Sequence, residues 1–460
     1  MLIVVQCFLS LLTAHLTLDR MVETGLENAT LHSVNKSELL PGVSLTCINT
    51  GKFKSGCITI NMICKLSRET ASANALLARV LRRGSMSLPD MESISAALDD
   101  LYGVRIEPIV RKKGELHCIG FYIDFPDDRY LPGGESVLER AVAIAGEMLL
   151  SPYMYEGNLC ENYTESEKSN LIDDIRASIN DKRGYAIDRL LEEMCADEAF
   201  GISKLGRESE VLALDNVKLT AHYQTVISNS RIDVLYCGSA GPDRIRSAVK
   251  PAFDRLDGRD TSGIPATNII YQPVTDTPRR FSEQLDVTQG KLTIGFRMGD
   301  TMRNPDLPAL MMLNSIYGGS VSSKLFMNVR EKLSLCYYAS SMLDKHKGIM
   351  LVSSGVDFSN FDTALDEILA QLDSIKSGDI SDREFAAAKN SVMSSVKSAL
   401  DRISGLEELY FDSDLSASPY DPAKLSEMVE AVTPERVVDS ASGIKTDSIY
   451  LLSGTEGGME

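Results

Sequence analysis

Tryptophan is absent from this sequence of 460 residues, and aromatic residues make up only 6% of it. Bases of single-stranded nucleic acids stack on aromatic side chains, so no such binding platform is expected. Positive charge is scarce as well, because 47 Lys and Arg residues stand against 65 Asp and Glu residues, for a formal net charge of −18. Nucleic-acid-binding proteins usually present a basic face. The composition therefore predicts no nucleic-acid partner.

Long apolar runs and paired cysteines are missing too. The one stretch that resembles a targeting sequence, residues 2–18, is shorter than a membrane span and has neither a basic N-terminal region nor a small-residue cleavage site. We treat residues 1–29 as an N-terminal extension, expect no membrane association, and keep a secretory signal as the alternative. The nine cysteines include no C-x-x-C pair and lie mostly in apolar runs, which predicts buried thiols and a cytoplasmic location.

Residues that hold metals or activate nucleophiles are also few. A zinc site needs three or four ligands on a rigid frame, and no two histidines of this sequence lie close together along the chain. Motifs of the H-E-x-x-H, G-x-S-x-G and G-x-x-x-x-G-K-[ST] types do not occur. The sequence predicts no metal and no other cofactor. The histidines, which we expect to be ordinary surface or strand residues, are His15, His32, His117, His222 and His346.

What the sequence does contain is a repeat, because the order of predicted elements in its first half recurs in its second half. Apolar, β-branched runs predict matching strands at 56–64 and 291–296. Each of these strands is followed by an apolar helix and then by a hairpin, with Gly114 at the turn of the first hairpin and Gly348 at the turn of the second. Such a duplication predicts an α+β protein of two homologous domains, each a largely antiparallel sheet flanked by helices.

The two copies are separated by residues 257–267, which are rich in Gly, Asp, Thr and Pro and have no hydrophobic periodicity. Such a composition is typical of a linker. We therefore assign residues 30–256 to the first domain and residues 268–460 to the second.

One segment, GGSVSSKLFMNVREKLSLCYYASS at 318–341, carries a specific resemblance. It is similar to the second-domain signature of the insulinase-type (M16) metallopeptidases, which has a Gly-rich loop, S-[RK]-L-F, V-R-E-K and a following Tyr. The duplicated halves fit the same family over nearly all of residues 30–455. The chain also resembles the zinc-less bacterial branch that is associated with modification of elongation factor P, through segments 88–106, 193–206 and 286–297.

The resemblance does not extend to the residues that bind the metal in this family. Aligned on the Ala-rich helix, the H-x-x-E-H motif of the family falls on Ala75, Ala78 and Arg79, and its downstream Glu ligand falls on Asp173. Alanine has no ligand atom, and an always-charged Arg would repel Zn²⁺. The resemblance therefore implies a chain without catalytic zinc and without peptidase activity on its own.

The other half of the catalytic set is retained. Arg330 and Tyr337 match the Arg/Tyr pair with which the family holds the substrate carbonyl. The alternative is that Arg330 pairs with a nearby acid and Tyr337 packs in the sheet. The resemblance implies the metal-free partner of a zinc-bearing M16 chain in a heterodimer that binds a peptide or unfolded polypeptide; a non-catalytic peptide-binding or scaffold protein, or an unrelated activity on the same scaffold, remains open.

The predicted strand 106–110 has a special position in a sheet. Pro108 lies within it, and Pro is tolerated mainly at edges and bulges because it has no N–H to donate to a central ladder. The resemblance implies that this edge pairs with the substrate backbone; the alternative is that Pro108 only protects the edge against aggregation. The substrate-binding residues implied are Ile106, Glu107, Pro108, Ile109 and Val110.

Overall fold

The fold is described from a computed structural model, for residues 32–256, 258–259, 261, 265–299 and 301–454. The predicted extension 1–29 lies outside these described residues, as do several residues of the predicted linker.

The strands of the first half form one mixed sheet. Its bounds are β1 His32–Leu40, β2 Val43–Thr50, β3 Ser55–Lys65, β4 Arg105–Lys113, β5 Leu116–Pro126 and β8 Arg231–Gly238, while the short β6 Met154–Tyr155 and β7 Asn158–Leu159 pair separately. The strand order is β1-β2-β8-β3-β5-β4, and every neighbouring pair is antiparallel except β2 with β8. Strand β4 lies at an edge, as Pro108 predicted.

The second half repeats this arrangement with five strands. They are β9 Arg279–Leu285, β10 Gly290–Arg297, β11 Cys336–Asp344, β12 Ile349–Val356 and β13 Lys445–Gly454. The order is β11-β12-β10-β13-β9, again with one parallel pair, β13 with β9. Hairpin β11–β12 corresponds to hairpin β4–β5, and the turn residues Gly114 and Gly348 both have positive φ, at 57° and 69°. The predicted α+β class and the internal duplication are confirmed.

Helices pack against both sheets. In the first half they are α1 Ala71–Leu81, α2 Met91–Asp99, α3 Val137–Leu150, α4 Glu161–Ala177, α5 Lys182–Met194, α6 Glu208–Leu212, α7 Asn216–Asn229 and α8 Pro242–Phe253. In the second half they are α9 Leu307–Asn314, α10 Phe361–Lys376, α11 Asp382–Leu400, α12 Ile403–Leu415, α13 Leu425–Glu430 and α14 Pro434–Ser442. The apolar helix predicted after the strand 291–296 is α-helical only to Asn314, and residues Ser315–Gly319 and Leu325–Lys332 are π-helical.

The two halves exchange a helix. Helix α12 of the second half packs on the first sheet, where Leu406, Tyr410 and Phe411 form a buried cluster with apolar residues of β2, β3, β5 and β8. Helix α5 of the first half packs on the second sheet, where Leu190 and Met194 contact apolar residues of β12 and β13. Each sheet therefore has one face covered by a helix from the other half.

A buried ion network joins the halves beside the exchanged helices. Arg297 is fully buried, and its guanidinium lies 2.8 Å from Asp447 Oδ2 and 2.6 Å from Glu198 Oε1. Lys347, also fully buried, lies 2.7 Å from Glu198 Oε2 and 2.6 Å from Glu115 Oε1. Burial alone would raise the pKa of Glu198, but hydrogen bonds from Arg297 and Lys347 hold that pKa below its ordinary value. Glu198 and Glu115 belong to the first half, so the network crosses the seam.

No helix among the described residues is long and apolar enough to span a bilayer. The eight cysteines in the described ranges are free thiols, and six of them are buried.

The helix exchange predicts where a core substitution will be felt. Leu190→Ala removes a fully buried side chain from α5 and is expected to lower the free energy of unfolding by about 2–5 kcal/mol. Because α5 covers the second sheet, hydrogen exchange should speed up in β12 and β13, although Leu190 belongs to the first half. Leu212→Ala, at an exposed leucine, is the control and should change the free energy by less than about 0.5 kcal/mol. Faster hydrogen exchange confined to the first sheet would contradict the packing of α5 on the second sheet.

Candidate functional site

The positions to which the resemblance assigns the metal-binding motif lie on α1, in the core of the first half. Ala75 and Ala78 are fully buried among the apolar residues that join α1 to the first sheet. A methyl group has no lone pair to offer a metal, and the close packing leaves these two positions without access to solvent. The helix therefore contributes core packing where the family has ligands.

Arg79, on the same helix, forms an ion pair with the neighbouring helix α4. Its Nη2 lies 2.6 Å from Asp174 Oδ2. The resemblance places the family's downstream carboxylate ligand at Asp173, and this placement stays a prediction. Asp173 is exposed on α4, and it is the adjacent Asp174 that contacts Arg79.

A second pair joins the segment directly after α1 to α4, because Arg83 lies two residues beyond the end of α1. Arg83 Nη1 lies 3.0 Å from Glu167 Oε1, and the Arg83 guanidinium also lies over the Tyr163 ring, 5.3 Å from its centroid. Glu167 is largely buried, whereas Asp174 is half exposed. Two Arg–carboxylate pairs thus connect α1 to α4. This donor set does not fit zinc, and no group of three or more His, Cys, Asp or Glu in the described ranges is placed to hold a metal.

A small polar cluster lies behind α1 that the sequence did not reveal. Asn74 Nδ2 lies 3.2 Å from His117 Nδ1, and Asn74 Oδ1 lies 2.8 Å from His222 Nε2. Burial lowers the pKa of His117 to about 4, so this imidazole is neutral near pH 7. His117 is therefore a buried residue of strand β5, in agreement with the expectation that the histidines are ordinary surface or strand residues.

Arg330 lies on the π-helical segment Leu325–Lys332, directly before β11. Leu325 and Val329 of this segment are fully buried and anchor it, while Arg330 is 40% exposed at its side chain. The Arg330 guanidinium lies 4.6 Å from the centroid of the Phe326 ring, and its Nε lies 3.6 Å from Glu331 Oε1. The contact with Glu331 joins two exposed neighbours, and such pairs contribute little.

Tyr337 occupies a bulge at the start of β11. Cys336 pairs with Val356 and Tyr338 pairs with Gly355, so Tyr337 is the extra residue between them. Bulges turn a side chain out of the regular alternation, and Tyr337 is 62% exposed. Its hydroxyl donates a 3.3 Å hydrogen bond to Asp357 Oδ1. The alternative that Tyr337 packs in the sheet is therefore not what the structure has.

The Gly-rich part of the motif has a steric reason. A Cβ atom on Gly318 would lie 2.6 Å from the backbone nitrogen of Ser341, so only glycine permits the π-helical segment Ser315–Gly319 to approach β11 this closely. The segment thereby packs closely against β11 at Ser341. The motif brings Arg330 and the bulged Tyr337 to one end of this strand, both exposed.

Strand β4, at an edge of the first sheet, carries the five predicted substrate-binding residues. Ile106 is fully buried, Glu107 is exposed and the other three are half-buried. Arg82, at the end of α1, donates from Nε to the carbonyl oxygen of Ile106. Pro108 has no N–H. One acceptor of this edge is therefore occupied and one donor is missing, and the edge that remains for pairing runs from the Pro108 carbonyl toward Val110.

Known proteins are similar to this chain in sequence and in fold. A family model described as "Peptidase M16 inactive domain" matches residues 214–392. The Bacillus subtilis (strain 168) protein named "Probable inactive metalloprotease YmfF" is 32% identical over 416 residues, which cover 90% of this chain and 97% of that protein. The chain belongs to the M16 peptidase family. It is a homologue of M16 proteins described as inactive. That Ala75, Ala78 and Arg79 occupy the family's metal positions stays a prediction.

Solved structures agree with this assignment. The crystal structure of a conserved protein from Enterococcus faecalis V583 is similar with a TM-score of 0.84 and 26% identity, over 92% of this chain and 99% of that one. An M16 inactive-domain structure from Pseudomonas fluorescens is similar with a TM-score of 0.74 and 12% identity, over 92% and 98% of the two chains, and shows the M16 fold alone.

The two ion pairs between α1 and α4 should differ in strength. Glu167→Gln leaves the partly buried Arg83 without its carboxylate, and we expect the free energy of unfolding in urea to fall by about 1–3 kcal/mol. Asp174→Asn, at the solvent-exposed pair, should cost less than about 1 kcal/mol, and this cost should vanish at high salt. Equal losses for the two variants would contradict the difference in burial.

Proposed function

We propose that this chain is the metal-free subunit of a two-chain M16 peptidase and that it supplies Arg330 and Tyr337 to a zinc site on its partner. The observation that carries the proposal is the contrast between the two halves. The positions predicted for the metal motif in the first half hold buried alanines and an ion-paired arginine, while Arg330 and Tyr337 of the second half are exposed at one end of β11.

The chemistry of the pair suits a carbonyl oxygen that gains negative charge. Arg330 carries a permanent positive charge and N–H donors, and the Tyr337 hydroxyl adds a further donor. Both groups are available, because Arg330 has only its exposed neighbour Glu331 as a charged partner in the described ranges and the 3.3 Å hydrogen bond from Tyr337 to Asp357 is long. A substrate carbonyl would replace these weak contacts.

The edge of β4 is proposed to hold an extended peptide or an unfolded segment. Such binding adds a strand through main-chain hydrogen bonds. The free part of the edge, from Pro108 to Val110, is short, so the pairing would involve few residues. The other role of Pro108, protection of the edge against aggregation, predicts no binding there.

The resemblance to the zinc-less bacterial branch supports two finer proposals. The complex would act in the cytoplasm, in agreement with the free cysteines, and its process would be the modification of elongation factor P.

A second candidate function is that of a peptide-binding or scaffold subunit without a catalytic role. The observation that favours it is the contact of Arg330 with the Phe326 ring, 4.6 Å from the centroid, because this contact gives the arginine a packing role within its own chain.

The test is to co-express this chain with an M16 chain that carries H-x-x-E-H and is encoded beside it, and to measure peptide cleavage by the purified complex. Arg330→Ala and Tyr337→Phe should each lower the rate by about 10²–10³ while the complex elutes intact, because one oxyanion donor is lost in each case. Arg280→Ala and Tyr155→Phe, at comparably exposed positions elsewhere, are the matched controls. If the variant complexes are intact and cleave at the wild-type rate, the catalytic role is excluded and the scaffold role is supported.

A further inference from the structure

A cavity of about 380 Å³ lies on the seam between the two halves, away from the Arg/Tyr pair. Its walls are the end of β4, the turn between β11 and β12, and the corner where α11 ends and α12 begins. Ligand pockets typically begin near 300 Å³, so the cavity has room for a small molecule.

The charge of the lining is unusual for this chain. Acids exceed bases in the sequence as a whole, by 65 to 47, but bases exceed acids in the cavity. The charged lining residues are Lys112, Lys113, Lys345, Arg402, Asp344, Glu408 and Asp412, with His346 beside them.

The acids of the cavity are already engaged. Lys113 Nζ lies 2.9 Å from Glu408 Oε1 and 2.8 Å from Asp412 Oδ1. Asp412 is also 2.9 Å from His346 Nε2. Asp344 Oδ1 accepts the backbone N–H of Lys347 at 2.8 Å. The carboxylates of the lining therefore contact Lys113, His346 and a backbone N–H of the turn between β11 and β12.

Two cations are left without a carboxylate. Within the described ranges, neither Lys345 nor Arg402 forms an ion pair or a side-chain hydrogen bond, although both line the cavity. Lys112 differs, because its ammonium donates to the carbonyl oxygens of Phe200 and Ile202 at 3.0 and 3.4 Å. Lys345 therefore has only a longer-range attraction to Asp412, and Arg402 has no charged partner among the described residues, so both cations can take up an anion.

We propose that this cavity binds a small anion through a phosphate or carboxylate group, with Lys345 and Arg402 as its charged contacts. The guanidinium of Arg402 presents paired N–H donors that match two oxygens of either group. Helix α12 begins directly after Arg402, and its first turn contains no acid that would compete for the same donors. The inference does not depend on the proposed peptidase role.

The position of the cavity gives binding a consequence. The anion would touch the β4–β5 hairpin of the first half and the β11–β12 turn and α12 of the second, so it would hold together elements on both sides of the seam. A ligand that binds only the folded state raises its stability. Neither cation makes a direct ion pair with a described residue in the empty cavity, so the charge-neutral variants should keep a melting temperature close to that of wild type without ligand.

The experiment is titration of the full chain with pyrophosphate and with citrate by calorimetry, at fixed ionic strength, together with thermal unfolding at each concentration. We expect saturable binding of at least one anion and a melting temperature that rises with its concentration. Lys345→Gln/Arg402→Gln should weaken binding at least tenfold without lowering the melting temperature of the free protein. The anion that binds distinguishes a phosphate from a carboxylate ligand.

Lys445→Gln/Arg383→Gln is the matched control, since these two exposed cations lie outside the cavity and also form no ion pair within the described ranges. The single variants Lys345→Gln and Arg402→Gln provide the same comparison should the double variant misfold. The proposal is overturned by the absence of saturable binding of both anions, by unchanged affinity in the cavity variants, or by an equal loss in the control.

Discussion

The exchange of helices α5 and α12 is the constraint on which the rest of the structure depends. Each sheet has an apolar face that only the helix of the other half covers, with Leu190 on one sheet and Leu406 on the other. Separating the halves would expose both faces to water, at a cost proportional to the apolar area. It would also strip the buried charges around Arg297 and Lys347 of their partners across the seam. The halves therefore have one relative position, which fixes where β4, β11 and the seam cavity lie.

Although the two halves share one strand order, they differ in the segments to which the family resemblance assigns chemistry. In the first half, the helix that bears the family's metal motif is tied to α4 by Arg79–Asp174 and Arg83–Glu167, so ion pairs now make the connection between those two helices. In the second half, the Gly-rich segment, the π-helical segment and the bulge hold an exposed Arg and Tyr at one end of an edge strand. The first arrangement joins two helices of the same half, while the second leaves two hydrogen-bond donors exposed. This asymmetry is the basis on which we propose a subunit of a two-chain peptidase.

Much of the fold could be predicted from the sequence, because the buried strands are β-branched runs and the two hairpins share a Lys-Gly turn. The edge strands β1 and β9 were missed, since they are rich in polar residues and have few buried side chains. Hydrophobic periodicity does not show which sheet a helix covers, so the exchange of α5 and α12 could not be predicted. The pairing of Arg79 with Asp174 could not be predicted either, because neighbouring residues differ by about 100° around a helix and the sequence does not show which of them faces α1. The motif predicted a short helix and a strand for Arg330 and Tyr337, but not the bulge that exposes the tyrosine.

The central claim is that this M16 chain has no zinc site of its own and contributes chemistry only through its second half. The most direct measurement is metal analysis of the purified chain after incubation with zinc and removal of free ions. We expect no stoichiometric zinc, because α1 offers Ala75, Ala78 and a paired Arg79 where ligands would have to be. About one tightly held zinc ion per chain would contradict the account.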